Sequence, residues 1–439
     1  MSRPIQTKPL TRREFLARLG KAALIAPAAL DVALLTSCGG SQPGTSQTTS
    51  SSDDQFLDDL ERAIFLFFWE QASPTTGLVK DRALAAGNDI RTVASTAATG
   101  FGLTALCIAD QRGYLPTANI LARVQTTLSF LLNQMPNQNG FFYHFVNMNT
   151  AQRAYKSELS SIDTALLLCG VLTCRQYFQD PQVTRLATQI YQRINWPWML
   201  NGGTTFSMGW TPENGFLNAR WDTYCELMVL YLLAIGATNP IPASSWEAIS
   251  RPTLTYEDLT YITDRAPLFT HQFSHAWVDF RNKQDAYTNY FQNSVVATQA
   301  HKIFCSTSLA SQFSDYSDNL WGISASDSAN GYVIWGGPPP MGPIDGSLVP
   351  CATGGSIPFL AADCISVLRN IKNWFPRSWQ RYGFVDAFNP ISDWYATDVI
   401  GIDVGVTMLM AENHRSNFVW NTFMKNPEIP AAMAAVGFH

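Results

Sequence analysis

Charged residues are scarce in this chain. Only 14% of its 439 residues are Asp, Glu, Lys or Arg, against about 25% in an average globular protein. The net charge is -5, and no Lys/Arg-rich run follows the N-terminal segment, which disfavours nucleic acid as a partner. No uninterrupted apolar run reaches the ~20 residues that a membrane-spanning helix needs. The composition favours an uncharged ligand, and it implies no protein partner.

Signatures of cofactor and metal chemistry are also missing. The sequence has no CxxC pair, and no convincing phosphate-binding loop, dinucleotide fingerprint or GxSxG elbow. His271, His275 and Asp279 stand four residues apart, so a helix would align them as metal ligands. However, the aromatic residues between them fit a packed segment, and Arg281 can neutralise Asp279. We therefore expect neither a metal nor a cofactor.

The first 38 residues predict an export signal. Arg12 and Arg13 precede a modest apolar stretch of about 14 residues, which is typical of a twin-arginine signal and too short to span a bilayer. The stretch ends in "LTSC", which resembles a bacterial lipobox and would make Cys38 the lipidated residue. The alternative is ordinary soluble export with a nearby cleavage site. We expect an exported protein that is periplasmic or anchored to the outer membrane by its lipid.

The remaining chain divides into a tether and one domain. Residues 39–54 are a Gly/Ser/Thr-rich run that predicts a flexible tether, and 55–439 are expected to form a single catalytic domain. Seven cysteines follow Cys38, and an odd number cannot all pair within one chain. Those that lie in apolar helical patterns are expected to be free and buried.

Helical periodicity dominates the domain, and strand-like alternation is scarce. About a dozen helices are compatible with six helical hairpins closed into an all-α (α/α)6 toroid, although periodicity alone also permits an irregular bundle. Long loops at 196–220, 264–290 and 314–356 are expected to form a cleft on one face, and a short hairpin is expected near Asn330 and Gly331. The predicted helices are 55–71, 95–112, 117–134, 160–179, 182–194, 221–236, 244–249, 256–263, 290–313, 357–374 and 403–414.

Two acidic residues stand at the head of an apolar segment, "RWDTYCELMVLYLLAIG" (220–236). A helix there would place Asp222 and Glu226 on one face. In a partly dry cleft, desolvation and the neighbouring carboxylate would both favour the neutral form of Glu226, as a general acid requires. The alternative is structural, with Asp222 capping the helix and Glu226 paired with Arg220 or another cation.

Other acidic residues mark the starts of two further predicted helices. Asp163 follows a serine cap in "SELSSIDTALLLCGVL", and Glu158 precedes that helix. Asp403 lies between Gly401 and Gly405, which allow a backbone or ligand to approach closely. Acids at a helix N-terminus are favoured by the helix dipole alone, so a structural role for Asp163 and Asp403 is an equal alternative to a catalytic one.

Tryptophan is abundant, with 13 residues, many of them near Gly, Pro or Asn. Such rings either cap a large core or stack on the apolar faces of sugars in a cleft. The candidate substrate-binding residues are Asp222, Trp210, Trp221, Trp277, Asp279, Arg281, Trp321, Trp335, Trp394 and Glu412.

Seven motifs occur in order across 55–439. They are "SELSSIDTALLLCGVL", "YCELMVLYLLAIGATNPI", "FSHAWVDFRNKQDAYTNYFQNSVVAT", "WGISASDSANGY", "DGSLVPCATGGSIPF", "YGFVDAFN" and "GIDVGVTMLMAENHR". Together these motifs resemble the bacterial glucoamylase-like proteins, and within them the endo-β-1,2-glucanases of glycoside hydrolase family 144.

This resemblance implies an (α/α)6 barrel that hydrolyses β-1,2-linked glucan with inversion of the anomer and without metal. By motif position Glu226 corresponds to the family's essential Glu and is expected to be the general acid. Asp163, Glu158 and Asp403 fall on other acidic motif positions, and one of them would help to activate water. The chain has "IDVGV" and "AENHR" where the family commonly has IDQGP and IENYR, and Cys225 where a small polar residue is expected.

These departures leave three kinds of activity open. The enzyme could act on the polymer, release sophorose from chain ends, or transfer glucan to a sugar hydroxyl instead of water. From another class, the rival is a non-catalytic sugar-binding lipoprotein, in which the acids would only bind hydroxyl groups.

Overall fold

The computed structural model describes residues 51–439, and its regular structure is mainly helical. Long helices alternate with short ones that lie in the connecting segments. The α-helices are α1 (Ser51–Glu70), α2 (Thr96–Gln111), α3 (Thr117–Asn133), α4 (Ser161–Tyr177), α5 (Pro181–Gln192), α6 (Trp196–Leu200), α7 (Met228–Ile235), α8 (Ser244–Glu247), α9 (Tyr290–Ile303), α10 (Pro350–Gly354), α11 (Ala361–Trp374), α12 (Gly401–Ser416), α13 (Phe418–Phe423) and α14 (Glu428–Ala435).

The helices differ in how much of their circumference is buried. In α2, fourteen consecutive residues from Thr96 to Ala109 are buried, and in α4 the same holds from Ser161 to Cys174. A helix that is apolar on all sides belongs inside a larger core. In α5 the buried residues are Val183, Leu186, Ala187, Ile190 and Tyr191, and this single stripe marks a helix that covers the core from outside.

The inner segments close into a ring. Helices α12, α2, α4 and α7 contact one another in that order, and α10 contacts α12. The gap between α7 and α10 is filled by residues 268–278, which include two short 3-10 helices. Ser274 Oγ accepts a 3.1 Å hydrogen bond from Val229 N in α7, and Gln272 Nε2 donates a 2.9 Å bond to Ala352 O in α10. Six inner segments therefore form a closed circuit.

Six helices surround this ring. Helix α1 packs on α12 and α2, α3 on α2 and α5, α5 on α4, α14 on α7, α9 on the first 3-10 turn, and α11 on α10. Arg415 near the end of α12 joins α1 through a 2.6 Å bond to Glu61 Oε2. The predicted (α/α)6 toroid is confirmed, and ring closure excludes the irregular bundle.

The inner helices run in the same direction. Gly100, early in α2, faces Leu166 and Leu167 early in α4, whereas Cys107 and Cys174 near the other ends have their Sγ atoms 3.6 Å apart. Because the helices are parallel, their N-termini collect at one end of the ring. We call this the N-terminal end of the barrel.

Short antiparallel strands border that end. Strands β2, β6 and β19 each stop at the residue before α2, α4 and α12 begin. The pairs are β1 with β19, β2 with β5, β3 with β4, β7 with β10, β11 with β12, β13 with β14, β15 with β16 and β17 with β18, and β8 lies between β6 and β9. Their bounds are β1 (Arg82–Leu84), β2 (Val93–Ser95), β3 (Asn137–Gln138), β4 (Phe141–Phe142), β5 (Phe145–Asn147), β6 (Leu159–Ser160), β7 (Phe206–Ser207), β8 (Gly209–Thr211), β9 (Gly215–Phe216), β10 (Arg220–Trp221), β11 (Thr253–Tyr256), β12 (Leu259–Ile262), β13 (Ser326–Ser328), β14 (Gly331–Val333), β15 (Trp379–Gln380), β16 (Gly383–Phe384), β17 (Phe388–Asn389), β18 (Trp394–Tyr395) and β19 (Asp398–Ile400).

Three predicted helices differ from the structure. The one predicted at 290–313 is α-helical only to Ile303 and continues as a π-helix from Phe304 to Leu309. The helix predicted at 256–263 is wrong, because β11 and β12 form a hairpin there, with Glu257 in a left-handed conformation at the turn. Its Thr and Tyr residues favour strands. The helix predicted at 221–236 begins only at Met228. The hairpin predicted near Asn330 is confirmed by β13 and β14.

The predicted export signal, Cys38 and most of the predicted tether lie outside the described residues. Helix α1 begins at Ser51, so residues 51–54 of the predicted tether are helical. Asp53 and Asp54 lie in its first turn, where the helix dipole favours negative charge.

Within 51–439 all seven cysteines are free and buried, as predicted for those in apolar helices. Among the same residues, no helix combines the length and the apolar character that a membrane span requires.

Gly170→Ala should destabilise the barrel, because a Cβ at this position would lie 2.1 Å from Gly100 O in α2. Relieving this overlap requires the two inner helices to separate, at a cost of about 1–3 kcal/mol in the free energy of unfolding. Thermal and denaturant unfolding would measure the loss. Ala122→Ser on the exposed side of α3 is the control and should change stability by less than about 0.5 kcal/mol. Equal stability of the two variants would contradict the packing argument.

Candidate active site

Three buried acids lie at the N-terminal end of the barrel. Asp163 is in the first turn of α4 and Asp403 in the first turn of α12. Glu226 lies in the turn that precedes α7. Each is at most 6% exposed. Since α4, α7 and α12 are inner helices whose N-termini share one end, the fold brings these predicted catalytic residues to the same face of the ring.

The backbone around Glu226 differs from the predicted helix. Trp221 belongs to β10, which pairs with β7, and Thr223 makes a bridge to Ser250. Asp222 is exposed in this extended segment. Asp222 and Glu226 are therefore not on one helix face, and Asp222 does not cap α7. The prediction that their mutual repulsion keeps Glu226 protonated loses its geometric basis.

Other contacts hold Glu226 in place. Its carbonyl oxygen accepts a 2.7 Å bond from Ser274 Oγ, which also binds the first turn of α7. Burial and the adjacent Glu226 raise the pKa of the Cys225 thiol well above its ordinary value. Cys225 is thus a neutral neighbour, which keeps a second negative charge away from Glu226. The guanidinium of Arg220 binds Leu200 O and the carbonyl and hydroxyl of Thr205.

The segment before α7 is joined directly to the start of α4. Trp221 Nε1 donates a 2.9 Å bond to Ser161 Oγ, and that hydroxyl also bonds Ser207 O. Trp221 is only 2% exposed. Its role in this structure is therefore to connect the Glu226 turn to the Asp163 helix, and the indole does not offer a face to a sugar.

Asp163 and Glu158 converge on a histidine that the sequence analysis did not single out. His144 Nδ1 lies 3.2 Å from Glu158 Oε1, and its Nε2 lies 3.5 Å from Asp163 Oδ1. Ser160 caps α4 and donates a 2.5 Å bond to Asp163 Oδ2. All three ionisable groups are buried. The structure thus joins two of the predicted catalytic acids into one hydrogen-bonded cluster.

Asp403 adjoins a second acid, Asp386. Burial raises the pKa of Asp386 well above its ordinary value, with further contributions from the Asp403 and Asp327 carboxyl groups. Both Asp386 and Asp403 line a small cavity with Cys351. Asp386 Oδ2 accepts a 2.6 Å bond from Asp327 N. A carboxyl pair in such a setting shares a proton more readily than it carries two charges.

Cations lie next to this carboxyl pair. Arg82 donates two bonds from Nη1 to the Asp327 carboxylate, at 2.7 and 3.0 Å. Arg91 binds both oxygens of Asp398, each at 2.7 Å. Asp398 O in turn accepts a 3.0 Å bond from Asp386 N. These ion pairs hold β13 and β19, which carry Asp327 and Asp398. Asp386 has no ion pair among the described residues.

The predicted aromatic residues fall into two groups. Trp277, Trp321 and Trp335 are at most 1% exposed, so these rings belong to the core and do not offer stacking surfaces. Trp210 and Trp394 are partly exposed. Trp210 pairs with Leu159 in the sheet, and its ring centroid lies 5.8 Å from that of Trp198.

Three predicted substrate-binding residues lie at the opposite end of the barrel. Glu412 is nine residues beyond Asp403 on α12, or roughly 14 Å along the helix axis. It is fully buried and receives two bonds from Arg112, at 2.9 and 3.0 Å. Asp279 is paired with Arg281, whose guanidinium lies over Trp420 just past the end of α12. These predictions are corrected, since the three residues hold the end of the barrel together.

His271 and His275 do not form a metal site. His271 contacts Tyr224 and Thr263, and His275 contacts Ser294. Burial lowers the pKa of each of the two histidines to about 3. The described part of the chain contains no group of three His, Cys, Asp or Glu side chains that could hold a metal ion.

Similarity to known proteins agrees with this architecture. A family model described as "Putative glucoamylase" matches residues 218–427. An exo β-1,2-glucooligosaccharide sophorohydrolase of Parabacteroides distasonis is 27% identical over 95% of this chain, which spans 62% of that protein's length. The structure of an endo-β-1,2-glucanase of Chitinophaga pinensis, in complex with sophorotriose and glucose, has a TM-score of 0.80 at 24% identity, covering 89% of this chain and 99% of that one.

A β-1,2-glucanase of Parabacteroides distasonis has a TM-score of 0.81 at 23% identity, covering 88% of this chain and 60% of that one. The fold therefore defines a helical-barrel protein of the (α/α)6 class. Within that class, the resemblance to the glucoamylase-like proteins is confirmed.

Asp386→Asn should change how stability depends on pH. Because the folded pKa of Asp386 is raised, the folded chain keeps a proton that the unfolded chain loses above about pH 4. The free energy of unfolding of the wild type therefore falls as pH rises from 4 toward the folded pKa. The asparagine removes this loss, so its melting temperature relative to wild type should increase between pH 4 and 8.

Asp393→Asn is the matched control, because Asp393 is an exposed acid paired with the exposed Arg377. Its melting temperature should follow the wild type at every pH. A constant difference between Asp386→Asn and wild type from pH 4 to 8 would show that Asp386 is ionised in the folded protein.

Proposed function

We propose that this protein is an inverting glycoside hydrolase that cleaves β-1,2-glucan, with Glu226 as the general acid. The observation that carries the proposal is the position of Glu226, a buried carboxyl group at the N-terminal end of the inner ring. Asp163 and Asp403 begin inner helices at the same end. The relatives named above, which act on β-1,2-glucans, support the choice of substrate.

The proposed chemistry divides the acids into two roles. Glu226 donates a proton to the glycosidic oxygen as the bond to the anomeric carbon breaks. An ionised carboxylate among Asp163, Glu158 and Asp403 accepts a proton from the attacking water, directly or through a sugar hydroxyl. Inversion requires water to attack from the face opposite the leaving group, so the first product from a β-linkage is the α-anomer.

One relative favours a second candidate function. The Parabacteroides distasonis sophorohydrolase is an exo-acting enzyme that works from the non-reducing end. The same acids would then release sophorose units from chain ends. A β-1,2-glucan transglycosylase remains a variant of the same scaffold, with a sugar hydroxyl replacing water as the acceptor.

A panel of glucans separates these functions. The full chain is incubated with linear and cyclic β-1,2-glucans, a β-1,3-glucan and an α-1,4-glucan, and the new anomeric protons are followed by NMR. An endo-hydrolase opens the cyclic glucan, whereas an exo-enzyme needs a free end and cleaves only the linear one. A transglycosylase changes chain lengths without a net gain of reducing ends. Binding with neither a new reducing end nor a change in chain length would favour the sugar-binding lipoprotein. Cleavage of the α-1,4-glucan alone would overturn the proposed substrate.

Glu226→Gln tests the general acid. The amide keeps the size and the backbone contacts of the side chain but cannot donate the catalytic proton, so kcat should fall by about 10²–10⁴-fold. Initial rates on linear β-1,2-glucan measure the effect, and thermal melting checks that the variant is folded. Glu247→Gln, on an exposed residue of α8, is the matched control and should retain full activity. Near-normal turnover in Glu226→Gln would remove Glu226 from the acid role.

We further propose that the N-terminal segment exports the protein and anchors it through a lipid on Cys38. The twin arginines and the sequence "LTSC" support this proposal. Cys38→Ser should move the protein from the membrane fraction to the soluble fraction of the producing cell. Retention in the membrane fraction would contradict the lipid anchor.

A further inference from the structure

His144 occupies a position between two acids of the proposed active site. Its Nδ1 faces Glu158 Oε1 at 3.2 Å and its Nε2 faces Asp163 Oδ1 at 3.5 Å. The histidine side chain is 6% exposed, and those of the two acids are 7% and 3% exposed. The imidazole therefore has a carboxylate at each of its nitrogen atoms.

The backbone fixes the ring and its two partners relative to one another. His144 N donates a 2.9 Å bond to Glu158 O, and His144 O accepts a 3.0 Å bond from Thr96 N at the start of α2. Asp163 is held from the other side, because Ser160 Oγ both accepts from Asp163 N and donates to Asp163 Oδ2. The cluster thus connects the starts of α2 and α4.

The number of protons on the ring determines how many carboxylates it can bind. A neutral imidazole has one N–H donor, whereas the doubly protonated ring has two. Only the charged ring can donate to Glu158 and Asp163 at once. Burial opposes this charge, but two carboxylates within hydrogen-bonding or ion-pair distance favour it.

Further groups pack around the ring and its partners. The Phe145 ring stacks on the imidazole with centroids 3.8 Å apart, and Gly209 packs against the Glu158 side chain. Arg153, on the loop before β6, is bound by Glu213 and by the carbonyl oxygens of 156 and 157. The carboxyl groups placed at the two ring nitrogens are Glu158 on the loop and Asp163 on α4.

We propose that His144 is a positioning residue whose doubly protonated ring binds the Glu158 and Asp163 carboxylates together and presents them as one fixed, ionised pair at the active site. This inference rests on the proposed function, since it assigns a role to acids placed in that reaction. Loss of one ring proton would release one of the two carboxylates. Activity should therefore decline on the alkaline side as the ring deprotonates.

The protonation state of His144 can be observed without any activity. The full chain is labelled with ¹⁵N-histidine, and the ring nitrogens are followed by NMR from pH 5 to 9. The signal of His144 is assigned by its loss in His144→Gln. It should remain doubly protonated at about pH 7.5, roughly one unit above the ordinary pKa of a histidine. In Glu158→Gln, which removes one of the two charges, the titration of His144 should move to lower pH.

The kinetic test uses His144→Gln on linear β-1,2-glucan. The amide can donate to one carboxylate but carries no charge, so kcat should fall by about 10- to 100-fold through misplacement of the acids, and the alkaline decline should disappear. His414→Gln is the control, because His414 lies near the far end of α12, and its kcat and pH profile should match the wild type.

The outcomes separate this inference from the proposed function. A His144 signal that titrates at or below about pH 6.5, the ordinary value for a histidine, overturns the positioning role even if the enzyme cleaves β-1,2-glucan. A His144→Gln variant with unchanged kcat and pH profile overturns it as well. If the wild type cleaves no glucan, the proposed function fails. The NMR titrations of wild type and Glu158→Gln still decide whether the ring binds both acids. If His144→Gln does not fold, these titrations still test the positioning role of His144. The His144 signal is then assigned by its shift in Glu158→Gln.

Discussion

The inner helices approach one another at positions where one partner lacks a side chain. Gly170 packs on the backbone of Gly100, Gly405 on Phe101, and Gly354 on Thr407. These contacts hold the helices parallel, so the acids in their first turns meet at one end of the ring. The same arrangement points several helix dipoles at that end, which favours negative charge there. The clustering of acidic residues at the candidate site thus follows from the close packing of the inner helices.

The acids at that end nevertheless lie in different surroundings. Asp163 has a serine hydroxyl and an imidazole beside it. Asp386 has another carboxyl group as its neighbour, and burial raises its pKa. An enzyme that protonates one oxygen while deprotonating another needs carboxyl groups whose environments differ in this way. The barrel provides both kinds of environment within one face.

Helical periodicity predicted about a dozen helices, and the family resemblance predicted that they close into a ring. The sequence also predicted that Asp163 and Asp403 lie in the first turns of helices, as they do in α4 and α12. It failed where short elements depend on tertiary contacts, as in the turn before α7, where pairing of Trp221 with Phe206 prevents the helix from starting earlier. His144 was missed because a single histidine between two short strands has no periodic signal. Glu412 was misplaced because motif position does not reveal which end of a helix faces the cleft.

The ion pair between Glu61 and Arg415 joins residues that are separated by most of the chain. The circuit of inner helices is therefore complete only after α12 has been synthesised. Until then, the apolar faces of α1 and α2 that α12 covers remain open to solvent and to other chains. Contacts of such long range slow folding and lengthen exposure to aggregation. Truncation before α12 would thus leave an open arc of helices with two unprotected edges in place of a shorter barrel.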